Sequence, residues 1–86
     1  MKILILGAGK MGSFFIDTLS FEHEVAVYEK NPQRLRYTYN CLRFTELEEI
    51  REFAPELVIN AVTVKYTIPA FQEVIPFLPE NCILSD

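Results

Sequence analysis

Histidine occurs once, at His23, and cysteine only twice, at Cys41 and Cys82, far apart in the chain. With no second histidine and no cysteine at metal-ligand spacing, these residues do not assemble a zinc site. Two isolated thiols also make no disulfide framework, so they read as free, buried or half-buried cysteines of a reducing cytosol. Long hydrophobic runs are missing as well. The apolar opening Ile3-Leu4-Ile5-Leu6 is stopped by Gly7, which is too short for a signal-peptide core or a membrane span. A cytoplasmic protein without a membrane partner is expected. Basic residues number eight against twelve acidic ones and are scattered, for a formal net charge of −4. No basic face marks a nucleic-acid partner. Glycine is scarce too, with three residues in all, and the three stand together at Gly7, Gly9 and Gly12.

What is present is an alternation of short apolar runs and amphipathic stretches. Eighty-six residues, half of them hydrophobic and 23% charged, make one globular domain over 1–86 with a modest core. Lys2 to Leu6 reads as a fully buried strand, because it has no polar face. Lys10 to about Leu19 reads as a helix, with Met11, Phe14, Phe15, Thr18 and Leu19 at helical spacing. Glu24 to Tyr28 is a second strand, rich in β-branched residues. Asn31-Pro32 marks a helix start, and the poor helix formers Tyr37, Thr38, Tyr39 and Asn40 predict an early end. A short strand near Cys41 to Phe44 follows. Thr45 and Glu48 match a capping box for a helix reaching Phe53, with Pro55 just beyond. Leu57 to Ala61 is a strand, Tyr66 or Pro69 to Leu78 a helix, and Cys82 to Ser85 a last strand.

Strands separated by helical stretches of this length pair in parallel through right-handed crossovers. The fold class predicted is α/β, a Rossmann-type open parallel sheet of five strands in the order 3-2-1-4-5. Because full doubly wound domains usually carry a further strand, the chain reads as truncated, the N-terminal part of something longer.

Gly7-Ala8-Gly9-Lys10-Met11-Gly12 is a G-x-G-x-x-G set between a buried strand and an amphipathic helix, the context the motif needs. Gly7 permits the tight turn, Gly9 lets backbone approach a pyrophosphate, and Gly12 lets the helix pack on the strand. The helix N-terminus then offers free N–H groups and partial positive charge to phosphates. Glu29 ends the second strand, where a carboxylate accepts from ribose hydroxyls and repels a 2′-phosphate. NAD is therefore expected over NADP, although Lys30 and Arg34 stand where either can turn toward a 2′-phosphate. Ala61, Val62 and Thr63, at the end of the fourth strand, should face Gly7 across the crevice and touch the nicotinamide half. Lys65 reads as a solvated loop lysine. Phe14, Phe15, Phe71 and Phe77 read as helix faces packed on the sheet, and His23 as a surface turn residue. Glu46, Glu48 and Glu49 read as a solvated helix start favoured by the dipole. No general base with an oriented partner is recognisable.

The opening MKILILGAGKMGSFF resembles NAD(P)-dependent oxidoreductases of the 6-phosphogluconate dehydrogenase-like group. The later stretch VINAVTVKYTIPAFQEVIPFLPENCILSD resembles prephenate dehydrogenases, in which a strand ends in a small-Val-Pro turn before a helix. Thr63 stands where that turn often has proline. The resemblance implies a dehydrogenase that oxidatively decarboxylates prephenate, a small molecule, on the way to tyrosine. It also implies a homodimer formed through a helical C-terminal domain. Only cofactor contacts carry over to this chain: Gly7, Gly9, Lys10, Met11, Gly12, Glu29 and the turn at Ala61, Val62 and Thr63. The family's catalytic histidine and substrate arginines belong to later sequence, so no catalytic residue is named. The glycine loop also resembles saccharopine dehydrogenase-like and pyrroline-5-carboxylate reductase-like enzymes. A non-catalytic alternative is the nucleotide-sensing domain of potassium transport systems.

Overall fold

The computed structural model describes residues 1–37, 41–62 and 64–85. Five parallel strands, β1 (Lys2–Leu6), β2 (Glu24–Tyr28), β3 (Leu42–Phe44), β4 (Leu57–Asn60) and β5 (Ile83–Ser85), form one sheet in the order β3-β2-β1-β4-β5. This is the expected order. β1, the most apolar strand, lies at its centre with Ile3, Leu4, Ile5 and Leu6 all buried. Successive side chains of a strand point to opposite faces, and two cores result. Leu4, Leu6, Ala26, Tyr28 and Val58 pack with Ile50, Phe53 and Val74 on one face. Ile3, Ile5, Val25 and Val27 pack with Ile16 and Leu35 on the other.

Three α-helices cover these faces: α1 (Lys10–Leu19), α2 (Leu47–Phe53) and α3 (Thr67–Val74). The stripe that α1 buries is Gly12, Phe15, Ile16 and Leu19. Phe14 falls outside it and is 62% exposed, which corrects the expectation that it packs on the sheet. Phe15 packs on one core, and Phe71 and Phe77 on the other, as expected.

The segment after β2 is a 3-10 helix, Pro32–Tyr37, rather than an α-helix. Asn31 accepts from Gln33 N–H through its side chain (3.1 Å) and from Arg34 N–H through its carbonyl (3.0 Å). This gives the tight start without an α-helical run behind it. Residues 38–40, where the weak helix formers continue, lie outside the described residues. α2 begins one residue later than the capping signal implied. Glu49, not Glu48, reaches back to the N–H groups of Glu46 (3.1 Å) and Thr45 (3.3 Å). It closes at Ala54 in the left-handed conformation (φ 53°), and the buried Pro55 follows. α3 is shorter than expected and is flanked by 3-10 turns, Val64–Tyr66 and Ile75–Phe77. Pro76 has no N–H and crowds the preceding turn, so the α-helix stops at Val74.

Candidate functional site

The sheet register aligns Leu6 with Tyr28 on one side and with Asn60 on the other. The chain leaves three neighbouring strands at one level, so the segments that follow them form a single edge. Backbone bonds tie them together: Gly7 N–H donates to Tyr28 C=O (3.0 Å) and Ala61 N–H to Leu6 C=O (2.9 Å). Gly7 takes φ +96°, a conformation open to glycine at little cost. The Ala61-Val62 turn lies against it, with Val62 Cγ1 only 2.9 Å from where a Cβ on Gly7 would stand. The glycine loop and this turn are therefore neighbours, as the strand order implied. Thr63 lies outside the described residues.

Gly9 precedes α1 in an extended conformation (φ −77°, ψ −162°), and no side chain caps that helix or places an acid in its first turn. The first N–H groups of a helix have no partner within it. A Cβ at Gly9 would meet nothing within 4 Å, so the loop backbone there is bare to an approaching group. An anion is the ligand that such a helix start suits. Gly12 is different. A Cβ on it would come within 2.1 Å of the Gly7 carbonyl oxygen, so its task is contact between α1 and the loop.

Glu29 follows β2 and faces the loop. Its Oε1 accepts from Ala8 N–H (3.0 Å) and its Oε2 from Asn31 N–H (3.2 Å). The carboxylate is thus fixed by backbone on both sides, and each oxygen retains a second acceptor site for a hydroxyl. Behind it, Tyr28 is buried, and its phenol is pushed up to about 12. Burial is the main cause, followed by the negative charge of Glu73 and the hydrogen bond to it, then the charges of Glu46 and Glu29. Glu73, on α3, also pairs with Lys30 Nζ at 2.5 Å.

Together these residues line a cleft of about 540 Å³. One wall is Gly7, Ala8, Gly9, Lys10 and Met11; the other is Ala61, Val62, Tyr66, Pro69, Ala70 and Glu73. Tyr28, Glu29, Lys30 and Arg34 close the end beyond β2. A more open groove runs on the other side of the loop, between α1 and the 3-10 helix, where the exposed Phe14 lies beside Ser13, Asp17 and Gln33. Gly9, Lys10 and Arg34 border both.

Several residues that build the cleft were not singled out from sequence: Tyr28, Tyr66 and Glu73 in its lining, and Asn60 behind the Ala61-Val62 turn. Asn60 carried the plainest signal, a polar residue ending an apolar strand. It is buried, donates from Nδ2 to Thr67 Oγ1 (2.8 Å) and accepts from Val62 N–H (3.3 Å). It thereby shapes the turn facing the loop. Lys65 is exposed and stands over the Tyr66 ring (5.5 Å) rather than in the cleft. His23 precedes β2 at the opposite end of the sheet, about 16 Å along the strand from Tyr28. Cys41 and Cys82 are free and half-buried, and burial pushes both thiols up. Among the described residues, no group of His, Cys, Asp and Glu could hold a metal. No described helix is long and apolar enough to cross a membrane.

No protein-family model matches the chain, and no curated protein does. Solved structures do. Prephenate dehydrogenase from A. aeolicus, in complex with hydroxyphenyl propionate and NAD+, superposes with a TM-score of 0.86 at 22% identity, over 98% of this chain and 32% of its own. Arogenate dehydrogenase from Synechocystis gives 0.78 at 18%, over 98% and 31%. 3-Hydroxybutyryl-CoA dehydrogenase from Escherichia coli gives 0.81 at 16%, over 99% and 24%. The chain thus spans between a quarter and a third of the length of these proteins. At these identities the likeness is one of fold: the chain has the Rossmann-type α/β architecture that dehydrogenases of several substrates share.

Proposed function

We propose that the chain is the NAD-binding part of a dehydrogenase. The observation that carries this reading is the bare backbone at Gly9. It opens on the uncapped start of α1, with the Glu29 carboxylate fixed beside it. The residues present fit such a cofactor. The N–H groups of Lys10 and Met11 would meet its pyrophosphate, and Glu29 would accept from the adenosine ribose. The Ala61-Val62 turn and Tyr66 line the side where its nicotinamide half would run. NAD bound there would supply the acceptor for a hydride. This chain's own part is to fix the cofactor by phosphate and ribose and to shield one side of it with apolar residues.

The stretch from Val58 to Asp86 resembles prephenate dehydrogenases, and the A. aeolicus enzyme of that name shares the fold. We infer oxidative decarboxylation of prephenate as the activity of the whole protein, in a cytoplasmic homodimer whose catalytic groups lie outside these 86 residues.

The test is calorimetric titration of the chain and of Gly9→Val with NAD. The valine side chain enters open space in an extended backbone, so the variant should keep its circular dichroism spectrum and lose binding. A folded Gly9→Val with unchanged NAD affinity would sink the proposal.

A further inference from the structure

One ion pair spans the far end of the cleft. Lys30 Nζ, on the residue after Glu29, lies 2.5 Å from Glu73 Oε2 on α3. Its two ends are unequal: the Glu73 side chain is 27% exposed and that of Lys30 68%. Glu73 also acts on the buried Tyr28, whose phenol its negative charge helps to push up. The carboxylate is therefore the fixed member, and the lysine has come to it. Ion pairs with one end in solvent contribute little to stability, so the consequence of this pair lies in the charge it leaves at the cleft.

That charge bears on the ribose end of a dinucleotide. With the adenosine ribose at Glu29, a 2′-phosphate would need a cation nearby. Lys30 and Arg34 are the cations lining that end, and Lys30 is turned to Glu73. Glu73 adds a second carboxylate to that of Glu29, and both act on Tyr28 between them. A phosphate dianion entering here meets two carboxylates and a neutralised lysine, which leaves Arg34 alone to face it.

We propose that Glu73 is a specificity-determining residue of the site: by holding Lys30 across the cleft it excludes 2′-phosphorylated dinucleotides. Glu29 discriminates by offering acceptors to a hydroxyl, whereas Glu73 acts by withdrawing a cation. The inference rests on the dinucleotide reading of the cleft.

The experiment is a double-mutant comparison with NAD and NADP as probes, using Glu73→Gln with and without Lys30→Met. Glutamine keeps the size of the half-buried side chain and removes only its charge, so the fold should be retained. In Glu73→Gln, the affinity for NADP relative to NAD should rise on the order of tenfold. The gain should shrink as salt is raised, because screening weakens a lysine–phosphate attraction. It should vanish when Lys30→Met is added. An unchanged NADP to NAD ratio in Glu73→Gln overturns the proposal, and so does a gain that survives Lys30→Met. A parent chain that binds neither dinucleotide removes the reading of the cleft itself and this inference with it, an outcome visible before any variant is made.

Discussion

Gly12 stands against the carbonyl oxygen of Gly7, so close that a Cβ would lie 2.1 Å from it and 3.6 Å from the Cβ of Ala61. The obstacle is backbone, which has no rotamer to change. Gly12→Ala should therefore push α1 off the loop and destabilise the chain by about 3 kcal/mol, the upper end for overpacking. At Gly9, where the Cβ space is open, alanine should cost about 1 kcal/mol or less, an N-cap effect. Urea unfolding of the two variants measures both. Equal stability would mean that Gly12 is not the contact that fixes the helix.

Glu29 is held by the N–H groups of Ala8 and Asn31, so replacing it loosens the loop as well as removing a ribose partner. Glu29→Ser should weaken NAD binding by roughly 1.5–3 kcal/mol, the worth of a hydrogen bond to a charged group. It should also narrow the gap between NAD and NADP. Calorimetry with both dinucleotides reads the two effects. A parent chain that already prefers NADP would assign the ribose end to Lys30 or Arg34 instead.

Tyr28 predicts an alkaline transition. Its phenol is raised from 10.0 in the unfolded chain to about 12 in the folded one, so the folded state favours the neutral form. The resulting stability is fully present below pH 10 and is lost as pH rises toward about 12. The loss amounts to about 3 kcal/mol. Urea midpoints measured across that range should fall in the parent chain and fall less in Tyr28→Phe. Identical slopes would place the phenol outside the core.

The 86 residues alone should turn over no substrate. Hydride transfer needs a group that accepts the substrate's proton and a geometry that holds it at the ring. The cleft offers lysines, an arginine, carboxylates and tyrosines, while His23 lies at the other end of the sheet. Incubation with NAD and prephenate, arogenate or 3-hydroxybutyryl-CoA should give no reduced cofactor above a protein-free control. Turnover would place a catalytic group among residues described as structural, with Lys65 and His23 the first to replace.

The sequence by itself determined the strands, their order and the position of the glycine loop. The strands and the loop follow from short-range rules: apolar runs without a polar face make central strands, and glycine spacing between strand and helix makes the loop; the order follows from the Rossmann-type class that their alternation with helices implies. Tertiary structure decided how each helix is rotated on the sheet. α1 could have buried Phe14 on its helical spacing. The contact of Gly12 with Gly7 instead fixes its rotation and leaves Phe14 outside. The same holds for the charges. Nothing local joins Lys30 to Glu73, or Glu29 to the amide of Ala8; the parallel register brings their segments to one edge. Helix periodicity tells which residues share a face, but which of them meet across a cleft depends on how the faces are turned when the core closes, and that is set by packing between elements distant in the chain.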